Sequence, residues 1–419
     1  MAGNTTGEQV GKVSSHCHEP PAPPLAGVIV VDLTRYVSGP YCTMLLADAG
    51  ATVIKVEPPE GEPTRHGTPR VGPGGEAAAT FVRMNRGKKS VALDLKTEAG
   101  RDAMRRLVAG ADALVENFRP GVLARFGLGE DDLARINPKL IYCTITGFGH
   151  TASTWRSRPA FNLIAELEAG VYHQERPDDT PRPLGPYVGD LIPGLHALSG
   201  LTMALYRRER TGQGGRVDIA MFDSMLSFNE LACSIDQASG DPASGTPGSF
   251  CPSDVYPSAD GFVCLDVVTY PQWRSLCETI GHPNLAGLPD LSDGPGRAAH
   301  FDDQIAGPLL GWLATRTSET AMETLSRAGV PAAVVRAPAD ALRTDQATRR
   351  SMVVQVSMSP GAGLLVPANP IRMDGDPRPL TATVPRLGQD TTEILAAVAG
   401  LSPGEIAQLA KEPDNANTS

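Results

Sequence analysis

One acidic side chain stands where an enzyme could use it. Asp190 follows Gly189 and comes just before a predicted helix that begins at Ile192. A carboxylate in this place can act as a nucleophile toward an activated carbonyl carbon. It can also cap the helix by accepting hydrogen bonds from the free N–H groups of the first turn. The residues alone favour the capping role.

Other candidate residues follow predicted strands. Gly39 and Pro40 come at the end of the first strand, and Asn117 and Phe118 come at the end of a later one. Ligands of open α/β sheets bind at the carboxyl ends of the strands, so these residues could approach a ligand. The alternatives are a strand-to-helix turn for the first pair and core packing for Phe118.

The sequence indicates no metal site. His16, Cys17 and His18 could bind a metal, but they lie in a polar and then Pro-rich N-terminal stretch that predicts a mobile tail without fixed geometry. The seven cysteines are scattered and form no CxxC pair. This pattern is typical of reduced thiols, and we expect a cytoplasmic protein.

Length and charge exclude several classes of function. The chain has 419 residues, of which 41% are hydrophobic, so two domains are expected. No apolar run approaches the ~20 residues of a membrane span, and no signal peptide is evident. The net charge of −10 argues against a nucleic-acid partner, although a small phosphorylated ligand needs only a few local cations.

The elements that must position these residues alternate between strand and helix. This order predicts a parallel sheet covered on both faces, with a change of pattern after about residue 235. The expected organisation is an extension (1–25), a large domain (26–235), a linker and smaller domain (236–345), and a return to the large domain with a C-terminal tail (346–419). Strands are predicted at 28–33, 52–56, 91–95, 113–116 and 140–146, and helices at 41–49, after Thr97 as a cap, and at 192–210.

Six segments, in a common order, resemble the family III coenzyme A-transferases, a family that includes formyl-CoA transferases and the related α-methylacyl-CoA racemases. They contain strings such as VDLTR, NRGKKS, VENFRPG and ERTG. Each string is weak evidence alone, but their order covers roughly residues 26 to 395. The segments are 31–57, 85–96, 115–121, 137–149, 189–212 and 256–261.

The resemblance implies a fold and a reaction. The fold is α/β, with a Rossmann-like parallel-sheet large domain, a smaller α+β domain and an interlocked dimer. The implied reaction moves coenzyme A from an acyl-CoA to a small carboxylic acid, with Asp190 as the nucleophile that forms an acyl anhydride and then an aspartyl-CoA thioester. No cofactor is permanently bound, because coenzyme A enters as a thioester substrate.

The same resemblance implies a set of residues that bind coenzyme A. Arginine is a suitable bidentate partner for phosphate, and Lys88 and Lys89 could add positive potential. The alternative is a solvated surface for the charged members. The implied set is Arg35, Tyr36, Val37, Ser38, Asn117, Phe118, Arg125 and Lys139.

Four residues depart from the family pattern. Phe161 aligns with a histidine of the racemases and cannot move a proton, which disfavours racemisation. Asn162 replaces an acidic residue, and Pro58 stands where many members have an arginine. Val37 replaces the glutamine of formyl-CoA transferases, which favours a larger and more apolar acid over formate or oxalate.

Three other functions stay open. The chain could be one subunit of a hetero-oligomeric transferase whose paralogous partner performs catalysis, an acyl-CoA racemase or epimerase, although Phe161 disfavours that reaction, or a non-catalytic protein that binds coenzyme A.

Overall fold

A parallel sheet of six strands forms the centre of the large unit. The fold was obtained as a computed structural model, which describes residues 22–72, 74–75, 77–151, 153–172, 180–239, 250–359, 362–373 and 381–409. The triplet at 16–18 therefore lies outside the described residues. The strands are β1 (Ile29–Asp32), β2 (Thr52–Glu57), β3 (Arg70–Val71), β4 (Ala77–Ala78), β5 (Lys89–Ala92), β6 (Ala113–Glu116), β7 (Ile141–Thr146), β8 (Gly215–Ala220), β9 (Ser253–Pro257), β10 (Phe262–Asp266), β11 (Ala332–Val334), β12 (Val353–Ser359), β13 (Ala362–Pro367) and β14 (Thr381–Thr383).

The helices alternate with these strands. They are α1 (Ser38–Asp48), α2 (Ala79–Asn85), α3 (Glu98–Ala109), α4 (Glu130–Ile136), α5 (Asn162–Glu168), α6 (Val188–Thr211), α7 (Met221–Phe228), α8 (Glu230–Ser239), α9 (Tyr270–Thr279), α10 (Gly294–Ala299), α11 (Ala306–Ala314), α12 (Ser318–Arg327), α13 (Pro338–Ala341), α14 (Asp345–Arg349), α15 (Thr391–Ala397) and α16 (Pro403–Leu409).

The strand order of the large sheet confirms the predicted fold class. It runs β5-β2-β1-β6-β7-β8, and every neighbouring pair is parallel. The chain first builds outward from β1 on one side and then returns to its centre with β6, which is the doubly wound order of Rossmann-like sheets. Central strands such as β6 and β7 are buried along their whole length, as expected when helices cover both faces.

Crossover helices place their first turns at the carboxyl edge of this sheet. A helix that connects two parallel strands runs back against them, so it begins where the preceding strand ends. In this way α1 begins after β1, and α6 precedes β8. Helix α6 starts at Val188, four residues earlier than predicted, so Asp190 is its third residue. The N-cap is Tyr187, and it makes no side-chain capping bond.

Helix α3 shows how the pattern of the sequence determines local structure. The Thr97 hydroxyl oxygen accepts a hydrogen bond from the N–H of Gly100 at 3.0 Å, which confirms the predicted cap. The apolar face of α3 carries Met104, Leu107 and Val108 into a core that also contains Leu395 of α15. The Asp390 carboxylate accepts a hydrogen bond from the N–H of Ser90 at 2.8 Å, which joins the start of α15 to β5.

The chain divides into two compact units. One contains the residues up to Ala165, Tyr187–Ser224 and the residues from Arg350 onward, and the other contains Glu166–Pro186 and Met225–Arg349. The sequence analysis instead placed boundaries at 235/236 and 345/346 and assigned 166–186 to the large domain. The composition of the sequence changes after about residue 235, but the first unit ends earlier, within α7.

The second unit has its own core. Strands β9 and β11 flank β10 in an antiparallel sheet. Buried side chains of this sheet and of its helices, including Leu265, Trp273 and Leu313, pack together. Helix α12 begins after Thr317, whose hydroxyl accepts the N–H of Thr320.

Helix α6 is long and contains an apolar stretch. By length and composition it could cross a bilayer, which the sequence analysis did not anticipate, because its apolar stretch is interrupted by small and polar residues. However, 44% of its most apolar window is buried within the protein, where α6 packs against α1 and β8.

A buried ion pair lies at the end of β1. The Asp32 carboxylate accepts hydrogen bonds from the Lys88 ammonium at 2.9 Å and from the Thr43 hydroxyl at 2.7 Å. Lys88 also donates to the carbonyl of Pro40 and the side chain of Asn85. Lys88 is thus buried, neither an exposed lysine nor a source of potential at the surface. Burial lowers the pKa of Lys88 to about 8, and the cations and hydrogen bonds around Asp32 outweigh its burial and hold the pKa of that carboxyl well below its usual range.

Removing one member of this pair leaves a buried charge without its partner. We expect Lys88→Met to lower the free energy of unfolding by about 3–5 kcal/mol, measured by urea unfolding. The double variant Asp32→Asn/Lys88→Met should recover a large part of this loss. The neighbouring Lys89, 44% exposed and 3.3 Å from Asp390, provides the control, since Lys89→Met should cost less than about 1 kcal/mol. Equal losses for the two lysine variants would contradict the assignment.

Candidate active site

A cavity of about 590 Å³ opens at the carboxyl edge of the large sheet. Residues that follow β1, β2, β5 and β6, together with the ends of β7 and the residue after β8, line it. Its centre is the point where the loops after β1 and β6 diverge to opposite sides, which is where open α/β sheets bind ligands. The volume is typical of a site for a small organic ligand or cofactor.

Asn117 joins the two diverging loops. Its side-chain oxygen accepts the N–H of Arg35 at 2.8 Å, and its side-chain amide donates to the carbonyl of Arg35 at 2.7 Å. The Arg35 guanidinium lies 4.9 Å from the centre of the Phe118 ring, within the range of a cation–π contact. All three residues line the cavity, so the structure brings these predicted residues together.

The start of α1 completes this wall. Tyr36 and Ser38 line the cavity, whereas Val37 is buried and is not among the lining residues. Gly39 permits the tight turn, because a Cβ at this position would lie 2.3 Å from the Thr34 methyl carbon. Because Val37 is buried, its side chain points into the protein, and its role in binding coenzyme A stays a prediction.

Asp190 lines the same cavity from the first turn of α6. The N–H of Asp190 donates to the side-chain oxygen of Asn162 at 3.1 Å. Helix α6 approaches α1 closely because residue 194 is glycine: a Cβ there would lie 2.7 Å from the carbonyl oxygen of Ser38. Helix α6 therefore packs closely against the first turn of α1, and the backbone of Asp190 is held by Asn162.

Besides Val37, two further residues of the predicted set are not among the lining residues. Arg125 is exposed on the short helical turn Leu123–Phe126, whose other members Leu123 and Phe126 do line the cavity. Lys139 is exposed and precedes β7, so it lies at the amino edge of the sheet, about 20 Å of strand away from the carboxyl edge. The structure does not bring Lys139 to the cavity.

Several cations at the cavity were missed in the sequence analysis. Arg119 and Lys96 follow β6 and β5, and Arg156 and Arg158 precede α5. Arg119 and Lys96 lie within the segments 115–121 and 85–96 that resemble the family, so the sequence offered a reason to include them. Arg119, Arg156 and Lys96 are exposed and form no ion pair with another described residue, so their charges are available to an anionic ligand.

Two of the acidic residues that line the cavity, Glu57 and Glu62, are paired with cations. Glu57 accepts two hydrogen bonds from Arg65, at 2.6 and 2.7 Å. Although burial opposes it, these bonds and the charge of Lys55 keep the pKa of Glu57 below its ordinary value. Glu62 lies 3.8 Å from the buried ammonium of Lys55. The charges of these two carboxylates are therefore balanced within the protein, whereas Glu60 and Asp94 line the cavity without an ion pair to another described residue.

A buried acid supports the loop after β6. Glu116 accepts the N–H of Phe118 at 2.6 Å and the hydroxyl of Tyr142 at 2.9 Å. Burial raises the pKa of Glu116 to about 7, against the opposing effect of these two hydrogen bonds. The Nε2 atom of His150 lies 4.0 Å from Glu116 and has no hydrogen-bond partner among the described residues.

No metal centre is evident in the part of the chain that the structure describes. Across those residues, no three or more His, Cys, Asp or Glu side chains are grouped so that they could hold an ion.

The sequence matches the family model of CoA-transferase family III over residues 25–391. The chain belongs to CoA-transferase family III. The resemblance found in the motifs is thereby confirmed.

Relatives within family III cover nearly the whole chain. A succinyl-CoA:mesaconate CoA-transferase of Haloarcula hispanica is 39% identical over 368 residues, which are 86% of this chain and 90% of the relative. The beta subunit of a succinyl-CoA–L-malate CoA-transferase of Chloroflexus aurantiacus is 31% identical over 399 residues, 92% of this chain and 96% of the relative. The crystal structure of a CaiB/BaiF family protein from Brucella suis superposes with a TM-score of 0.80 at 32% identity, covering 90% of this chain and all of that one.

The raised pKa of Glu116 predicts a stability that depends on pH. The pKa of Glu116 in the folded protein is above the ordinary value of 4.5, so the fold favours the protonated side chain. The contribution of protonated Glu116 to the free energy of unfolding is therefore lost as pH rises from about 5 through 7. The Glu116→Gln variant should therefore gain stability relative to the natural chain over this range, by up to about 3 kcal/mol.

Urea unfolding of both proteins at pH 5 to 8 measures the difference. Tyr142, His150, Arg216 and Asp218 face Glu116 and are common to both proteins, so the difference reports Glu116. Parallel stability profiles for the two proteins would show that Glu116 is ionised throughout.

Proposed function

We propose that this chain transfers coenzyme A from an acyl-CoA to a carboxylic acid, with Asp190 as the covalent nucleophile. The observation that carries the proposal is the position of Asp190 in the first turn of α6, lining one cavity with Arg35, Phe118 and Arg119 at the carboxyl edge of the sheet. The carboxylate and the cations face the same space, as a thioester with phosphates at its far end requires.

The reaction proceeds by exchange at one carboxyl group. Asp190 attacks the thioester carbonyl carbon, the carbon–sulfur bond breaks, and coenzyme A leaves as a thiolate, which gives a mixed anhydride. The thiolate then attacks the Asp190 carbonyl and releases the first acid, which leaves an aspartyl-CoA thioester. The acceptor carboxylate reverses these two steps, so no water is consumed and the energy of the thioester is kept.

The cations supply the binding of coenzyme A. The phosphates would be neutralised by Arg35, Arg119, Arg156 and Lys96. The side chain of Asn117 fixes the backbone of Arg35, whose guanidinium lies against the Phe118 ring. Ser38 lies at the first turn of α1, where free N–H groups favour an anion. Arg158 stacks on Trp155 and Phe148, at 4.6 and 4.9 Å from the ring centres, and its charge adds to the same wall.

We infer that the acids exchanged are dicarboxylates. The names of the Haloarcula and Chloroflexus relatives refer to succinyl-CoA with mesaconate or malate. Exposed cations on the cavity wall, such as Arg119 and Arg156, could also pair with a second carboxylate on the acyl group. This inference revises the expectation of a large apolar acid, because Val37 does not face the cavity. The reaction would take place in the cytoplasm.

The active assembly that we propose is a homodimer. Helix α6 leaves large apolar side chains in solvent, with Met203 70% and Tyr206 66% exposed. Apolar patches of this kind mark interfaces, and a second copy of the chain would cover them. A paralogous partner remains the second candidate, because the Chloroflexus relative is named as a beta subunit.

Substitution of Asp190 tests the mechanism. We expect Asp190→Ala and Asp190→Asn to lower transfer from succinyl-CoA to mesaconate at least about 1,000-fold, because the covalent route is lost, while the unfolding temperature changes little. Asp131→Asn, also in the first turn of a helix, is the matched control and should be fully active. Hydroxylamine added during turnover should convert Asp190 to a hydroxamate that peptide mass spectrometry detects. Full activity of Asp190→Ala would remove this residue from the mechanism.

Native mass spectrometry of the chain expressed alone tests the assembly. We expect a homodimer, and Met203→Glu/Tyr206→Glu should shift it toward monomer because charges would then face the interface. A monomer that becomes active only when a paralogous chain is added would establish the hetero-oligomer instead.

A further inference from the structure

Two aromatic side chains meet on the wall of the cavity that contains Asp190. The rings of Tyr36 and Phe161 are 5.6 Å apart between centroids and inclined at 83°, which is an edge-to-face contact. Both residues line the cavity with Asp190. They come from separate segments, the loop after β1 and the residue before α5, so the pair spans the cavity wall.

The backbone holds Tyr36 in a strained conformation. Its φ of 66° is left-handed, which residues with a side chain rarely adopt. Asn117 fixes both backbone polar groups of the preceding Arg35, and the N–H of Tyr36 points to the Glu62 carboxylate at 3.5 Å. Strain of this kind persists where the surroundings enforce it and is common at functional sites. Here it directs the Tyr36 ring toward Phe161.

The second ring is tied to the backbone of the nucleophile. Phe161 is followed directly by Asn162, whose side chain accepts the N–H of Asp190 at 3.1 Å. Phe161 is nevertheless 62% exposed and Tyr36 43% exposed. Such exposure contributes little to the stability of the fold, but it gives a ligand two apolar surfaces to cover.

We propose that the Tyr36–Phe161 pair shields the acyl-aspartyl intermediates of Asp190 from water and so determines the ratio of transfer to hydrolysis. The proposal rests on the proposed function. Phe161 contains no atom that could accept a proton from water, so it cannot activate a hydrolytic water molecule. These residues act on the intermediate by excluding solvent and are positioning residues.

The competing reaction is simple hydrolysis. Water attacks the acyl carbonyl of the anhydride, the bond to the Asp190 oxygen breaks, and Asp190 leaves as a carboxylate while the proton of water passes to solvent. The net change is acyl-CoA plus water to free acid plus coenzyme A. Transfer consumes no water, so the two outcomes can be measured separately.

The experiment compares hydrolysis with transfer in variants of the pair. Coenzyme A release from succinyl-CoA without acceptor, followed with a thiol reagent, gives hydrolysis, and mesaconyl-CoA formation gives transfer. We expect Phe161→Ala to raise the ratio of hydrolysis to transfer at least about 10-fold, and Phe161→Leu to raise it less. Tyr36→Phe should leave the ratio unchanged, whereas Tyr36→Gly should raise it without loss of thermal stability, because glycine relieves the left-handed strain. Phe262→Ala, at an exposed aromatic residue of the second unit, is the control.

The outcomes separate this inference from the proposed function. A ratio unchanged in Phe161→Ala and Phe161→Leu, with both rates lowered equally, would overturn the shield. Hydrolysis that persists in Phe161→Ala/Asp190→Ala would also overturn it, because water would then attack the thioester directly. Absence of the Asp190 hydroxamate in the natural chain would instead refute the proposed function itself.

Discussion

The loop after β1 depends on the buried carboxylate of Asp32. This side chain lies at the end of a central strand, fully buried, where it cannot be solvated by water. It accepts hydrogen bonds from the N–H and hydroxyl of Thr34, the hydroxyl of Thr43 and the ammonium of Lys88. One charge thus fixes the turn after β1, the second turn of α1 and the segment before β5. A buried charge that is paired and hydrogen-bonded in this way resists displacement, so the loop is held before any ligand arrives.

The site follows from that fixed loop. Because the turn is held, Arg35 presents both backbone polar groups to Asn117, and the loops after β1 and β6 are joined at the topological switch point. Helix α6 then brings Asp190 to the same edge, since Gly194 allows close contact with Ser38. Asp190, the proposed nucleophile, therefore lies on a helix whose backbone is held by such contacts, and Arg35 lies on a loop that is fixed in the same way. Such preorganisation is what a reactive carboxylate needs if its intermediates are to meet acids and thiolates before water.

The departures from the family pattern gain a physical meaning in this setting. Asn162 is neutral, yet its oxygen keeps the contact that fixes the first turn of α6. Phe161 contributes a ring to the cavity wall where a proton-transferring residue stands in racemases. Pro58 lines the cavity without a charge, and Arg119, Arg156 and Lys96 lie on other parts of the wall.

The sequence by itself determined the architecture. Contiguous β-branched runs followed by helical segments are sufficient to specify a parallel α/β sheet, and the ordered motifs identified the family and singled out Asp190. Local signals also fixed features such as the Thr97 cap, because one hydroxyl and one N–H three residues away decide them. Strand β8 was not predicted, because its residues are only partly buried at the sheet edge and its pattern of Val217 and Ile219 is interrupted by polar residues.

Only the tertiary structure decided which charges share a space. Lys88 and Lys139 look alike in the sequence, but long-range packing buries the first against Asp32 and leaves the second at the amino edge of the sheet. Helix α6 begins before the residue at which apolar periodicity starts, and the side chain of Asn162 accepts the N–H of Asp190 in its first turn. The grouping of Arg156, Tyr36 and Phe161 around Asp190 likewise arises from residues far apart in the chain. Local patterns carry no information on such groupings, because the free energy that creates them comes from contacts formed only when the sheet is assembled.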